Sequence, residues 1–508
     1  MSDHQEHIVM LPLLAIGHMI PFLALAKKIQ ERTNYKITIV STPFNVKYLS
    51  STIAKDVQNP NNISLASLPY DSSQHGLPPN TENTEALTLK DMVKIFNSTF
   101  SLKEPLKKLM FEISEKDGKP PLCLVSDAFM GFASEVAKSC GSFSVSFTTA
   151  GAYGTAAYVS IWLNLPHLLA THDDDDGGGG VFKMPGFDDS CCFFSVDQLH
   201  PFMKSANGND PWSKVLKNLF TLSMDSLGFL CNSVEDIEPM GVKAIKNLTK
   251  LPVWCIGPLL PQCMLKKGEK DQIFEPRIGK EHGLSPEECI GWLNKQPQRS
   301  VLYISFGSQN TISSSQMMAL AMGLEDSERP FIWVIRPPIG FDIKGTEFKS
   351  EWLPKGFQER VVSSKRGLLV KSWAPQLQIL SHPSTGAFLT HCGWNSVMES
   401  LSQGVPIISW PLAAEQAFNS KMLVEEMGVC VELTRWSSRD IEKEDVKKVV
   451  DVVLGESEKG KEMKEKANEI GISIRTAVKE EGDFKGSSVK SLDDFISTLL
   501  CRRNMSSS

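Results

Sequence analysis

Histidine and aspartate at the ends of apolar runs offer acid–base chemistry. His18 follows the run IVMLPL (Ile8–Leu13) in the stretch GHMIPF, and Asp127 closes PLCLVSD (Pro121–Asp127). An imidazole titrates near neutral pH and suits general-base work. A carboxylate beside it holds the correct tautomer and stabilises the imidazolium. The pairing requires the two strands to be neighbours. Singly, such residues are more often a loop histidine and a helix-capping aspartate; together, at two strand ends of one sheet, they form a base and its orienter. One histidine and one aspartate underfill a metal shell, so no metal is expected. Thr148 and Thr149, closing SFSVSFTT, reach the same edge and suit a ligand hydroxyl or a helix cap.

A second set lies between Trp373 and Gln416. In HCGWNS (His391–Ser396) a strand, GAFLTH, turns into a helix, GWNSVMESLSQG, which Gly404 closes. The turn brings an imidazole, an amide and a hydroxyl to a helix N-terminus, where free N–H groups and the helix dipole favour a phosphate. Glu399 lies four residues after Asn395, on the same helix face, where a carboxylate can accept from the paired hydroxyls of a ribose. Trp373 can stack on a flat base while Gln376 reads its edge; core packing is its plainer reading. Glu415 and Gln416 set a carboxylate beside an amide, matching sugar hydroxyls. Ser308, in the strand-to-helix turn SFGS, suits a phosphate, although a plain turn accounts for it equally. His382, before Pro383, reads as structural. The set points to a sugar nucleotide.

These groups need strand ends to present them, and the chain supplies strands in series. Short apolar runs alternate with helical patterns in the first half: IVMLPL, KITIVST, PLCLVSD, SFSVSFTT, GFLCNS and LPVWCIGPLLP. A second series runs through SVLYISFGS, PFIWVIR, GLLVKSW, GAFLTH, VPIISW and GVCVEL. Strand–helix alternation implies parallel βαβ sheets, and 508 residues exceed one ordinary core. Two α/β domains are therefore expected, over residues 1–259 and 299–484. A polar, proline-punctuated linker should cover 260–298, and a terminal helix 485–508, which could cap the second domain or return to the first. DDDDGGGG (Asp173–Gly180) reads as an exposed loop.

Bulk properties exclude several functions. Fifty-three basic residues against 59 acidic ones give a net charge of −6, with no excess to neutralise a nucleic acid or an anionic membrane. The uncharged stretch Ile8–Ala26 lacks the basic start of a signal peptide and contains Pro12, Gly17, His18 and Pro21. It reads as a strand, a loop and a helix from Pro21 to Glu31. Eleven cysteines without metal-type spacing fit a reducing compartment. A cytoplasmic monomer that inserts in no membrane is expected.

The stretch Trp373–Gln416, with GHMIP before it and SFGS in the middle of the chain, resembles the signature of plant UDP-sugar-dependent glycosyltransferases (glycosyltransferase family 1). The resemblance implies a GT-B fold: two Rossmann-like domains facing a cleft, with the C-terminal helix returning to the first domain. It implies inverting, metal-independent transfer with no cofactor, UDP-glucose being the donor co-substrate. It makes His18 the base and Asp127 its partner. Trp373, Ala374 and Gln376 correspond to uridine contacts; Ser308, His391, Asn395 and Ser396 to diphosphate contacts; Glu399 to the ribose contact. Thr149, Trp394, Glu415 and Gln416 correspond to sugar contacts. Position 415 is often aspartate in the family; glutamate keeps the carboxylate and adds a methylene. Gln416 resembles glucose-using members. Pro21, Phe129, Met130, Tyr153 and Phe194 are candidates for an acceptor pocket suited to a flavonoid, another phenolic, a terpenoid or a glycoside. A UDP-sugar epimerase or hydrolase on the same fold, and a non-catalytic UDP-sugar-binding protein, are the alternatives.

Overall fold

A computed structural model describes residues 5–53, 62–171, 179–188, 192–265, 283–342, 345–435 and 440–507. Most of the Asp173–Gly180 stretch lies outside the described residues. The chain divides into two compact units. One comprises Met1–Val196, Pro201–Leu260 and Ala477–Ser508; the other comprises Asp197–His200 and Pro261–Thr476.

The first unit is built on a parallel sheet. Its strands are β1 (His7–Leu11), β2 (Lys36–Ser41), β3 (Ile63–Ser67), β4 (Cys123–Asp127) and β5 (Phe143–Thr148). A small antiparallel hairpin, β6 (Val181–Lys183) and β7 (Phe193–Ser195), intervenes before β8 (Phe229–Cys231) and β9 (Val253–Cys255). The sheet order is β3-β2-β1-β4-β5-β8-β9, with every pairing parallel. The order reverses between β1 and β4, and in such sheets ligands gather outside the strand carboxyl ends at that point. β1 and β4 are direct neighbours, Leu11 lying opposite Ser126. The condition for joining His18 to Asp127 is therefore met.

The first helix departs from expectation. It runs from Ile16 to Thr33, not from Pro21, so His18 stands in its first turn rather than at the end of β1. The N–H groups of His18 and Met19 both donate to the Ala15 carbonyl, at 2.9 and 3.0 Å, which starts the helix early. Pro21 forgoes a single helical bond near an end whose groups are partly unpaired in any case.

The terminal helix Ser487–Ser507 belongs to this first unit: Leu492, Phe495 and Leu499 enter the core formed by Ile8, Phe22 and Trp254. Trp254 Nε1 donates to Asp494 Oδ2 at 2.7 Å. The return begins at Ala477, ahead of residue 485, because Glu480 already pairs with Arg32, which also grips Asp493.

The second unit repeats the plan with β10 (Val301–Ser305), β11 (Phe331–Ile335), β12 (Gly367–Lys371), β13 (Thr385–Thr390), β14 (Ile407–Ser409) and β15 (Cys430–Glu432). Their order is β12-β11-β10-β13-β14-β15, all parallel, and it reverses between β10 and β13. Both faces are covered: Leu302, Ile304, Trp333 and Leu389 pack on one side, and Val301, Tyr303, Ile332 and Phe388 on the other. Such double burial is why these strands read as continuous apolar runs. The expected linker shortens here. The helix Pro286–Leu293, opened by a Ser285–Glu288 capping box, buries Cys289 and Leu293 in the second core, so this stretch is part of the unit. Residues 266–282 of the expected linker lie outside the described residues.

Among the described residues no helix is long and apolar enough to cross a membrane, and the ten cysteines that fall within them are free thiols.

Candidate functional site

The first unit supplies an acid–base pair at its switch point. His18 Nδ1 lies 2.7 Å from Asp127 Oδ2. The other carboxylate oxygen, Oδ1, accepts the Phe129 N–H at 3.0 Å, so both oxygens are placed. Asp127 is buried, whereas His18 keeps about a quarter of its side chain exposed. With Nδ1 facing the carboxylate, Nε2 is the nitrogen able to take a proton.

Thr149 lies against the same imidazole. Its Oγ1 lies 3.1 Å from the same Nδ1, so the hydroxyl is turned towards the base. The loop carrying it is fixed from below. Asn232 Nδ2 donates to the Thr149 carbonyl at 3.2 Å. The buried Glu238 then caps the helix Ala152–Asn164, accepting the N–H groups of Ala152 and Tyr153, both at 3.0 Å, and the Ser233 hydroxyl. Burial pushes the Glu238 carboxyl up to about 7, against the pull of those hydrogen bonds.

Most of the candidate acceptor-pocket residues are buried. Pro21, Met130, Tyr153 and Phe194 are all buried. Tyr153 packs edge-on against Phe187 at 4.8 Å, near Phe194, and its hydroxyl meets Cys192 Sγ at 3.2 Å. Phe129 is the exception. Half-buried, it stands edge-on to His18 at 5.9 Å and packs against Phe96 and Phe220.

The second unit gathers the other candidates around its own switch point. His391 follows β13, its Nδ1 lying 3.2 Å from Thr390 Oγ1. Burial, with Arg336 nearby, lowers its pKa to about 4, so the ring is neutral at pH 7. If Thr390 donates to Nδ1, Nε2 carries the hydrogen and becomes a donor. Two glycines make room for the ring. A Cβ on Gly307, whose φ is +76°, would stand 2.7 Å from both Cε1 and Nε2; one on Gly393 would stand 2.5 Å from Nε2. Any side chain at either position displaces the imidazole.

The helix Trp394–Ser402 begins directly after this ring, with Gly393 at its cap. Its first-turn N–H groups are not used by the helix itself. Asn395 is half-buried, Ser396 and Glu399 are buried, and the Trp394 indole is buried as well. Gln376 joins them: Nε2 donates to Glu399 Oε2 at 2.6 Å and to Ser396 Oγ at 3.3 Å, while Oε1 accepts from the Tyr303 hydroxyl at 3.1 Å. Trp373 is half-buried and Ala374 buried, after Ser372 turns the chain with φ +66°. The Arg336 guanidinium lies 5.4 Å from the Trp373 ring centroid and donates to the Ser372 carbonyl, steadying the indole.

Ser308 and the Glu415–Gln416 pair have further local structure. Ser308 lies in the turn after β10, but the next helix begins only at Ser314 and closes its own start through a Ser313–Gln316 capping box. Ser308 therefore borrows no helix N-terminus. Gln416 Oε1 already accepts the Leu412 and Ala413 N–H groups, each at 2.8 Å, so only its amide nitrogen can address a hydroxyl. Glu415, half-buried, stands at the N-cap position of the helix Gln416–Glu425, with no capping bond from its side chain.

Sequence reading missed Gly307, Tyr303 and Arg336. The glycine was visible in SFGS; the other two sit in apolar strands with no local mark of a ligand site. Among the described residues no three His, Cys, Asp or Glu side chains gather as a metal site would require.

Comparison with known proteins finds a family and similar structures. Residues 278–464 match the family model described as UDP-glucoronosyl and UDP-glucosyl transferase. The chain is 39% identical to UDP-glycosyltransferase 92A1 of Arabidopsis thaliana over 98% of its own length and 97% of the relative's. It is 40% identical to crocetin glucosyltransferase 3 of Crocus sativus over 90% and 92% of the two chains. The solved structure of Medicago truncatula UGT71G1 complexed with UDP-glucose superposes with a TM-score of 0.77 at 25% identity, covering 98% of this chain and all of the other.

Proposed function

This chain belongs to the plant UDP-glycosyltransferases, and on that premise we propose that it transfers glucose from UDP-glucose to a hydroxyl of a small apolar metabolite, with inversion. The fold is GT-B, and each unit contributes one part of the chemistry. The observation that carries the reading is the His18–Asp127 hydrogen bond at the switch point of the first sheet.

In the proposed reaction His18 Nε2 takes the proton of the acceptor hydroxyl as its oxygen attacks the anomeric carbon. The bond from that carbon to the diphosphate breaks, UDP leaves with the electron pair, and an α-linked donor gives a β-glycoside. Asp127 stabilises the imidazolium so formed. Negative charge moves onto the leaving diphosphate. The neutral His391 ring, Asn395, Ser396 and the N-terminus of their helix are the preorganised donors that support it. On this reading they replace a divalent cation.

The remaining roles follow the chemistry of each group. Trp373 stacks on uracil; Ala374 and Gln376 complete the uridine contacts; Glu399 accepts from the ribose hydroxyls. Glu415 and the Gln416 amide nitrogen address the sugar, with Trp394 beside them, and Ser308 contacts the diphosphate. Phe129, beside His18, favours an aromatic or terpenoid acceptor, whether an aglycone or a glycoside.

The test is incubation with UDP-glucose and a mixed panel of phenolic and terpenoid acceptors, read by mass spectrometry, with the anomeric configuration read by NMR. A β-hexoside is expected. Free glucose or a new UDP-sugar without any acceptor product would replace this reading with hydrolysis or epimerisation.

A further inference from the structure

Asn419 is fully buried in the helix Gln416–Glu425, where an amide is costly unless it is used. Its Nδ2 donates to the Cys392 carbonyl at 3.0 Å, while its Oδ1 is buried with no hydrogen-bond partner. Because the partner is a carbonyl, only the nitrogen can occupy that position. An amide kept half-satisfied is not explained by packing, since an apolar side chain of similar size would leave no orphaned oxygen. The explanation lies in what it holds.

Cys392 adopts φ +62°, a left-handed conformation that a residue with a Cβ disfavours. It stands between His391 and Gly393, so its conformation sets both the imidazole and the start of the helix Trp394–Ser402. β13 ends at Thr390, whose carbonyl is taken by the Trp410 N–H, so the strand ladder gives out before Cys392. On its own helix Asn419 lies one turn after Gln416, and Gln416 secures the Leu412–Ala413 turn in the same manner.

We propose that Asn419 is a positioning residue that ties the His391–Gly393 turn to the helix bearing Glu415 and Gln416. It fixes the spacing between the groups assigned to the diphosphate and those assigned to the sugar, without touching either. This rests on the UDP-sugar reading given above.

The experiment compares wild type with Asn419→Leu, which removes the donor and the orphaned oxygen together, and Asn419→Asp, which keeps the shape but loses the N–H. UDP affinity is measured by calorimetry, KM for UDP-glucose and for acceptor by initial rates, and Tm by thermal unfolding. The expected result is a rise of about tenfold in UDP Kd and donor KM, the scale of one buried hydrogen bond, with acceptor KM unchanged. Should one variant fail to fold, the other carries the test. Donor affinity equal to wild type in a folded variant overturns the assignment, as does a fall in Tm with both KM values rising together. Wild-type protein that does not bind UDP overturns the functional reading itself.

Discussion

Gln376 Nε2 stands 2.6 Å from Glu399 Oε2, so the amide and the carboxylate assigned to uridine are bonded to each other. Glu399 is 1% exposed, and this amide, with Tyr303 behind it, supplies a hydrogen bond to the buried carboxyl group. If Gln376 and Glu399 hold the uridine as proposed, UDP exchanges one set of hydrogen bonds for another on binding. Glu399→Ala should weaken UDP binding by ten- to a hundredfold while changing kcat at saturating donor far less, as calorimetry and initial rates would show. A drop in kcat with unchanged UDP affinity would refute the ribose assignment.

The His18 prediction separates chemistry from binding. His18→Ala should lower kcat by roughly 10²–10⁴-fold, the usual worth of a positioned base, and leave UDP affinity as in wild type. Asp127→Asn should also lose turnover, because an amide no longer stabilises the imidazolium or enforces its tautomer. Wild-type turnover in either variant would remove the base assignment.

His391 gives a pH signature. Its folded-state pKa of about 4 lies below the ordinary 6.5, so the unfolded chain takes up a proton first. The stability supplied by the buried neutral ring is complete above pH 6.5 and is lost as pH falls towards 4. Urea unfolding at pH 7.5 and pH 5 should show wild type losing more stability than His391→Gln over that interval, on the order of a few kcal/mol.

Glu238 works in the opposite sense. Its carboxyl is raised from 4.5 to about 7, so the folded state favours the protonated form. That contribution is present below pH 4.5 and is lost as pH rises through 7. Glu238→Gln should flatten this part of the profile between pH 5 and 8 in the same unfolding assay. A parallel profile for wild type and variant would show that the cap does not titrate there.

EDTA should leave glucosyl transfer unchanged if His391, Asn395 and Ser396 support the leaving diphosphate as proposed. Loss of activity restored by Mg²⁺ or Mn²⁺, followed by product formation, would show that a cation shares that work.

Most strands were legible because burial on both faces leaves a dense apolar run, whereas the partly exposed edge strand β3, ISLAS, left none and went unread. The pairing of His18 with Asp127 was legible only as a condition, since adjacency of β1 and β4 is a matter of register that no local pattern records. His18 was placed on a strand end because Pro21 looked like a helix start, whereas the Ala15 carbonyl begins the helix earlier. Sequence alone did not separate pocket from core at Met130, Tyr153 and Phe194, because apolar and aromatic residues look alike whether they line a pocket or fill a core. Gly307 and Gly393 were visible as glycines, but the reason for them, the close approach of one imidazole ring, exists only in three dimensions.

The last stretch, Ala477–Ser508, folds with the unit that the first residues begin. Seen from that unit, residues 261–476 are an inserted domain, entered at Leu260–Pro261 and left at Thr476–Ala477. A pulling force applied at Gln5 and Met505 would load the unit that holds His18 and bypass the unit that holds His391. Excising the insertion and joining its flanks would divide the protein along the same line, with His18 and Asp127 in one piece and His391, Asn395 and Glu399 in the other.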